Sequence, residues 1–124
     1  MKIAQQISDA ELEVMKVLWE LGQATSSQIV ACLSENTDWK PKTIQTLITR
    51  LAAKGAVAAE KTESKAYLYT PLISEEEFKS YANHSFLHKI YDGSVKMMLA
   101  SFVKEQKISK AEIESLKKLL DEEE

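Results

Sequence analysis

Helical spacing and one short hairpin pattern predict a mostly α-helical protein with a small β-hairpin. Apolar residues recur at intervals of three and four along most of the chain, as in helices that bury one face. Four hydroxyl residues stand three positions before a Glu or Gln at the start of such a run, which is a signal for the start of a helix. The chain has 124 residues, 44% of them hydrophobic, and this length fits one compact domain or two small ones.

Capping boxes define the first turn of four predicted helices. The hydroxyl of such a box accepts a hydrogen bond from one free amide of the first turn, and the later side chain reaches back to another. The four pairs are Ser8 with Glu11, Thr25 with Gln28, Ser74 with Glu77, and Ser109 with Glu112. They predict helices near residues 9–20, 26–34, 75–91 and 110–121. Asp92-Gly93 should end the third of these helices, and a further helix should run from Ser94 to about Lys104.

A helix framed by Pro41 and Gly55 has two distinct faces. Proline suits the first helical position, and glycine suits the position just past the end. The apolar stripe consists of Ile44, Leu47, Ile48 and Leu51. The polar face carries Lys42, Gln45, Thr46, Thr49 and Arg50, and no acidic residue occurs from residue 39 to residue 54. An ordinary solvated face would mix acids with bases, so this composition favours a surface that binds DNA.

The polar face also has the chemistry that a DNA groove requires. Gln45 suits an adenine edge and Arg50 a guanine edge, while Lys42 can reach a phosphate. Residues 57–61 and 66–70 then form the pattern of two strands around a polar turn, and this hairpin carries Lys61 and Lys65. The whole chain has a net charge of -3, yet residues 39–70 contain six bases against two acids. Residues 1–72 are therefore predicted to form a winged helix-turn-helix domain that binds double-stranded DNA.

Residues 73–124 are predicted to form a helical dimerisation domain. Their apolar residues are too many for a segment of this length to bury by itself, since small units bury a low fraction of their surface. The set comprises Phe78, Tyr81, Leu87, Ile90, Tyr91, Val95, Met98, Leu99, Phe102, Ile113, Leu116 and Leu120. A second copy of the chain would cover them and would supply a second DNA-binding half.

Four stretches of the sequence together match one known pattern. They are Ile7–Trp19, Trp39–Leu51 with Lys54-Gly55, Tyr67–Tyr69 and Phe86–Tyr91, and the Pro41–Ile44 segment is the most specific part. Over essentially its full length the chain resembles the penicillinase repressor and methicillin-resistance repressor family. The resemblance implies a homodimeric repressor of β-lactam resistance genes that binds inverted repeats of a TACA/TGTA type. It also implies that Lys42, Thr43, Gln45, Thr46 and Arg50 lie on the helix that reads DNA.

The same resemblance implies that the repressor is inactivated by proteolysis after a membrane sensor detects a β-lactam. The cleavage position falls on Ser101-Phe102, where the best-known members have Asn-Phe. Many relatives carry Arg where this chain has Gln45, so its operator preference should shift towards adenine. Two alternatives stay open, namely a winged-helix repressor of another regulon, such as copper homeostasis, and a winged-helix module that binds protein. The Cys-rich motif of copper-responsive relatives is missing, because Cys32 is the single cysteine.

Other functional classes find little support in the sequence. The chain has two histidines, three glycines and no phosphate loop or paired nucleophile and base, so we expect no enzyme and no cofactor. His84 and His88 lie one helical turn apart, but they lack a third ligand and are interpreted as structural, so no metal is expected. Cys32 is interpreted as a small core residue. No apolar segment is long enough to span a membrane and no signal peptide is evident, which indicates a cytoplasmic protein.

Overall fold

The computed structural model describes residues 3–123, which form a mostly helical fold with one small sheet. The elements are α1 (Ile3–Gln6), α2 (Asp9–Leu21), β1 (Ala24–Thr25), α3 (Ser26–Asn36), α4 (Pro41–Ala53), β2 (Val57–Lys61), β3 (Tyr67–Pro71), α5 (Glu75–Tyr91), α6 (Val95–Lys104) and α7 (Lys110–Glu123). The predicted fold class is confirmed. Two compact units are present, of which the first ends at Ala82 and the second begins at Asn83. The functional division between residues 72 and 73 stays a prediction.

The helix starts follow the predicted capping chemistry. At α2 the Ser8 amide donates to Glu11 Oε1 at 2.9 Å, and the Glu11 amide donates to Ser8 Oγ at 3.2 Å. The same reciprocal bonds join Thr25 with Gln28, Ser74 with Glu77, and Ser109 with Glu112. At α4 no side chain caps the first turn, and Pro41 occupies its start as predicted. These bonds satisfy amides that would otherwise have no partner within the helix, so they fix where each helix begins.

The sheet contains one strand more than the predicted hairpin. Strands β2 and β3 are antiparallel, and the pairs run from Val57 opposite Pro71 to Lys61 opposite Tyr67. Strand β1 pairs with the other edge of β3, with Ala24 opposite Tyr69. The prediction of a two-stranded hairpin was therefore incomplete. A strand of two residues is too short to show alternation in the sequence, and only its partner identifies it.

The core of the first unit joins α2, α3 and α4 to the sheet. Its buried apolar members are Ala4, Val14, Met15, Val17, Leu18, Ala24, Ile29, Leu33, Ile44, Leu47, Ile48, Leu51, Ala56, Val57, Tyr69 and Ile73. Trp19 and Trp39 lie half-buried at its margin, and so does Cys32. The Trp19 indole donates to the Ile73 carbonyl at 2.9 Å, and its ring lies 5.6 Å from that of Phe78. These contacts attach the start of α5 to the winged part of the chain.

The second unit leaves much of its apolar surface open in the single chain. Helices α5 and α6 contain no buried residue. Exposed large hydrophobic residues of the second unit are Phe86, Ile90, Val95, Met97, Leu99, Val103, Leu116, Leu119 and Leu120. Phe78 and Tyr81, which the sequence pattern grouped with this set, instead pack against the core of the first unit.

None of the helices in the described part of the chain is both long and apolar enough to cross a membrane.

Candidate nucleic-acid interface

Helix α4 separates its apolar stripe from its polar face as the sequence predicts. Ile44, Leu47, Ile48 and Leu51 are all buried in the core. Gly55 follows the helix with a φ of 81°, a left-handed conformation that an L side chain adopts only with strain. The Ala56 amide then donates to the Leu51 carbonyl at 2.9 Å and closes the end of the helix. The buried stripe and this fixed end hold the opposite side of α4 towards solvent.

The polar face of α4 is exposed along its whole length. Its members are Lys42, Thr43, Gln45, Thr46, Thr49 and Arg50. Thr46 Oγ1 donates to the Lys42 carbonyl at 3.0 Å, and Thr49 Oγ1 donates to the Gln45 carbonyl at 2.9 Å. These bonds occupy the two hydroxyl protons, so each threonine offers an acceptor lone pair and a methyl group to a partner. The predicted residues of α4 therefore share one surface with the donors, acceptors and charge that a DNA groove requires.

A shallow groove beside this face brings in two serines that the sequence reasoning missed. Its lining comes from the first two turns of α3 and α4 and consists of Ser26, Ser27, Val30, Ala31, Pro41, Lys42 and Gln45. The first turn of a helix has backbone amides without helical partners, and these amides attract anions such as phosphate. The Thr25–Gln28 capping box was the available signal, because it marked where those amides begin. Ser26 and Ser27 are thus further candidates for contacts with the DNA backbone.

The hairpin presents the other two predicted basic residues. Lys61 ends β2 opposite Tyr67, and both side chains are exposed. Lys65 lies in the turn with a φ of 71°. The turn is tied by the Thr62 amide, which donates to the Ala66 carbonyl at 2.9 Å, and by the Lys65 amide, which donates to the Thr62 carbonyl at 3.0 Å. Lys61 and Lys65 therefore belong to an ordered wing and not to α4.

Lys54 differs from the other basic residues of this region, because its charge is used inside the protein. Its Nζ lies 2.5 Å from Glu11 Oε1 and donates to the Gln6 carbonyl at 2.7 Å. Burial raises the pKa of Glu11, but the bonds from Lys54 and Ser8 and the Lys54 charge outweigh burial, so that pKa lies below its ordinary value. Lys54 is one of the six bases counted in residues 39–70, and in the structure its ammonium group is paired with Glu11. No sequence pattern links Glu11 with Lys54, which are far apart along the chain.

The remaining candidate residues occupy other parts of the chain. The rings of His84 and His88 lie 4.3 Å apart on α5, and among residues 3–123 no group of three metal-binding side chains occurs. Ser101 and Phe102 lie within α6 and are half-buried. The polar face, the α3–α4 groove and the wing together define a winged-helix DNA-binding protein.

Comparison with known proteins gives the particular family. Residues 7–122 match the sequence model of the penicillinase repressor family, and the chain belongs to that family. It is 41% identical to the penicillinase repressor of Bacillus licheniformis over 122 residues, which cover 98% of this chain and 94% of the relative. It is 36% identical to the methicillin resistance regulatory protein MecI of Staphylococcus aureus (strain N315), with 94% of each chain covered.

Two solved structures agree with the fold of the winged part. The DNA-binding domain of the repressor BlaI is 45% identical, with a TM-score of 0.54, and the match covers 62% of this chain and 93% of that domain. Bacillus licheniformis BlaI, solved as a monomer in complex with the blaP half-operator, is 46% identical with a TM-score of 0.52. That match covers 58% of this chain and 87% of the BlaI chain. The family is one of transcriptional repressors.

Proposed function

We propose that this protein is a homodimeric transcriptional repressor of β-lactam resistance genes. The main support is the polar face of α4, which exposes Lys42, Gln45, Thr46 and Arg50. The helix is held by its buried stripe and contains no acidic residue. The relative BlaI binds a half-operator, and the other relatives are penicillinase and methicillin-resistance regulators, which supports the same role here. The protein acts in the cytoplasm, where the operator DNA is accessible.

The operator is a double-stranded inverted repeat of the TACA/TGTA type. Gln45 and Thr46 read base edges near the middle of the polar face, and Arg50 reads a guanine one turn further along. Lys42, together with Lys61 and Lys65 of the wing, contacts phosphates and fixes the register without reading sequence. Thr43 lies beside Lys42 at the start of α4 and supports the same backbone contact. A binding site with two equivalent halves then requires two copies of the chain.

Dimerisation through α5, α6 and α7 supplies those two copies. The exposed Ile90, Leu99, Val103, Leu116 and Leu120 of these helices are large apolar side chains that a partner surface would bury. Each side chain that becomes fully buried contributes roughly 1.5–3 kcal/mol, so a few of them stabilise an interface. A symmetric dimer places two reading helices on two half-sites of one operator, and the linkage multiplies the affinity of each half.

Cleavage at Ser101-Phe102 releases the operator. The bond lies within α6, so a cut separates α7 from α5 and from most of α6. The lost segment includes Ile113, Leu116 and Leu120, and the dimer loses their contribution. Each winged domain keeps its reading helix but binds one half-site alone, which is too weak for repression. A membrane sensor that detects the β-lactam starts the cleavage of the repressor, and the repressor itself does not insert into the membrane.

Binding to four DNA duplexes of equal length tests the DNA-binding role. The duplexes are a TACA/TGTA inverted repeat, one half-site, the repeat with its half-sites moved apart by five base pairs, and a random sequence. We expect tight binding to the inverted repeat alone, because half a helical turn between half-sites places the second one on the opposite side of the DNA. Equal affinity for all four duplexes would exclude the repressor role and favour a module that binds protein.

Exposure of cells to a β-lactam tests the release step. With the cognate sensor present, mass spectrometry should recover fragments ending at Ser101 and beginning at Phe102, and the target gene should be induced. The matched control is the same chain in cells that lack the sensor, where the β-lactam should leave the chain uncut and the gene repressed. Induction with an intact wild-type chain would exclude proteolytic release for this protein.

A further inference from the structure

Glu11 is the one charged residue that is buried among those the structure describes. Its exposed fraction is 2%, and its Oε1 accepts hydrogen bonds from the Ser8 amide at 2.9 Å and from Lys54 Nζ at 2.5 Å. The Ser8 bond belongs to the capping box of α2, and a Gln at this position would serve it equally well. A carboxylate is thus retained in the core where the capping box alone does not require a charge.

Lys54, the partner of Glu11, is the C-cap residue that follows α4. Its side chain is 29% exposed, and its Nζ also donates to the Gln6 carbonyl at the end of α1. Two of the three ammonium protons are therefore bound inside the protein. One side chain connects α1 and the first turn of α2 to the end of the helix that carries the polar face.

Apolar packing decides which side of α4 is buried, and the Glu11–Lys54 pair adds a directional contact at the end of the helix. The buried stripe of Ile44, Leu47, Ile48 and Leu51 is held by contacts that are not directional. Gln45 lies about 13 Å along the helix axis from Lys54. A tilt of α4 by about 10° around its end would move Gln45 by about 2 Å, which exceeds the roughly 0.5 Å within which a binding group must be held.

We propose that the partly buried Glu11–Lys54 ion pair is a positioning device that fixes the direction of α4 for base reading. It rests on the proposed DNA-binding function and adds two residues that do not themselves touch DNA. Removal of two charges from water offsets much of their attraction, so such a pair adds little net stability, while its hydrogen bonds have a defined direction. The pair therefore acts on operator discrimination, and the apolar core carries the stability of the fold.

The obvious alternative is that Lys54 binds a DNA phosphate directly. The two roles predict opposite effects for Glu11→Gln, which keeps the cap to Ser8 and removes the partner of Lys54. If Lys54 positions α4, operator affinity falls about tenfold while affinity for random DNA is unchanged, because one base contact is lost. If Lys54 contacts phosphate, the freed ammonium raises the affinity for both duplexes and steepens the dependence on salt.

The deciding experiment compares two double variants of the full chain in titrations with operator and random duplexes. Glu11→Gln with Lys54→Met removes the buried pair, leaves no unpaired buried charge and keeps the α2 cap. The matched control is Glu13→Gln with Lys16→Met, which removes an exposed ion pair from α2 with the same change of charge. We expect about tenfold weaker operator binding for the first variant, an unchanged salt dependence, and wild-type behaviour for the control.

Several outcomes would overturn the positioning role. Wild-type discrimination in the Glu11→Gln/Lys54→Met variant would show that α4 does not need the pair, and a flatter salt dependence would show that Lys54 contacts phosphate. Circular dichroism tests whether the variants are folded. If the double variant is not folded, the single variant Glu11→Gln decides, because weaker operator binding supports the positioning role and tighter binding to both duplexes supports phosphate contact. Wild-type protein that fails to discriminate operator from random DNA would instead refute the proposed function itself.

Discussion

Replacing Gln45 with alanine should separate the reading of bases from the binding of phosphates. The Gln45 amide is exposed, and its hydrogen bond to Thr49 Oγ1 is long at 3.4 Å, so turning the amide towards a base gives up little. A bidentate contact with an adenine edge contributes about 1–3 kcal/mol to discrimination. The variant should therefore bind its operator about 5- to 150-fold more weakly and bind random DNA with unchanged affinity.

Replacing Lys42 with methionine should have the complementary effect. Methionine keeps an unbranched apolar side chain of similar length at the exposed position and removes only the charge. Affinity should fall for operator and random DNA alike, and the slope of log affinity against log salt should flatten by about one unit for the single lost phosphate contact. The matched control is Lys79→Met, which removes an exposed lysine of α5 and should leave the slope unchanged.

Fluorescence anisotropy at four or more salt concentrations measures both quantities. Gln5→Ala, at an exposed position of α1, serves as the control for the amide substitution. The expected pattern is a loss of discrimination at constant slope for Gln45→Ala and a loss of slope at constant discrimination for Lys42→Met. An equal loss on operator and random DNA for Gln45→Ala would refute the assignment of base reading to this residue.

Three further predictions concern the fold that presents the polar face. Folding lowers the pKa of Glu11, so its ionised carboxylate stabilises the fold above pH 4.5, the pKa in the unfolded chain, and this contribution is lost as the pH falls through the lower pKa of the folded state. Urea titrations from pH 7 to pH 3 should therefore show a steeper loss of unfolding free energy for wild type than for Glu11→Gln. Ile48→Ala should lower the unfolding free energy by about 2–5 kcal/mol, measured in urea, whereas Thr43→Ala should change it by under about 0.5 kcal/mol. A fragment ending at Ala82 should be monomeric and about 3–5 kcal/mol more stable than one ending at Leu72, because it keeps Ile73, Phe78 and the hydrogen bond from Trp19. Equal stability of the two fragments would contradict the packing of α5 on the winged domain.

Local chemistry made the helices and the polar face of α4 predictable. A capping box operates within four residues, and an apolar stripe repeats within two turns, so each signal is complete in a short window. Ser8 with Glu11 and Ser74 with Glu77 therefore located α2 and α5. The same reasoning placed Gln45 and Arg50 on the exposed side of α4, because the buried side had already been assigned to Ile44 and Leu51.

Tertiary structure alone decided the contacts between residues that are distant along the chain. Lys54 was indistinguishable in the sequence from the basic residues that face solvent, and only the fold brings it to Glu11. Strand β1 exists because β3 offers it an edge, and the start of α5 is held because Trp19 reaches the Ile73 carbonyl. Such pairings depend on the summed geometry of every intervening element, and no periodicity or cap within a short segment encodes them.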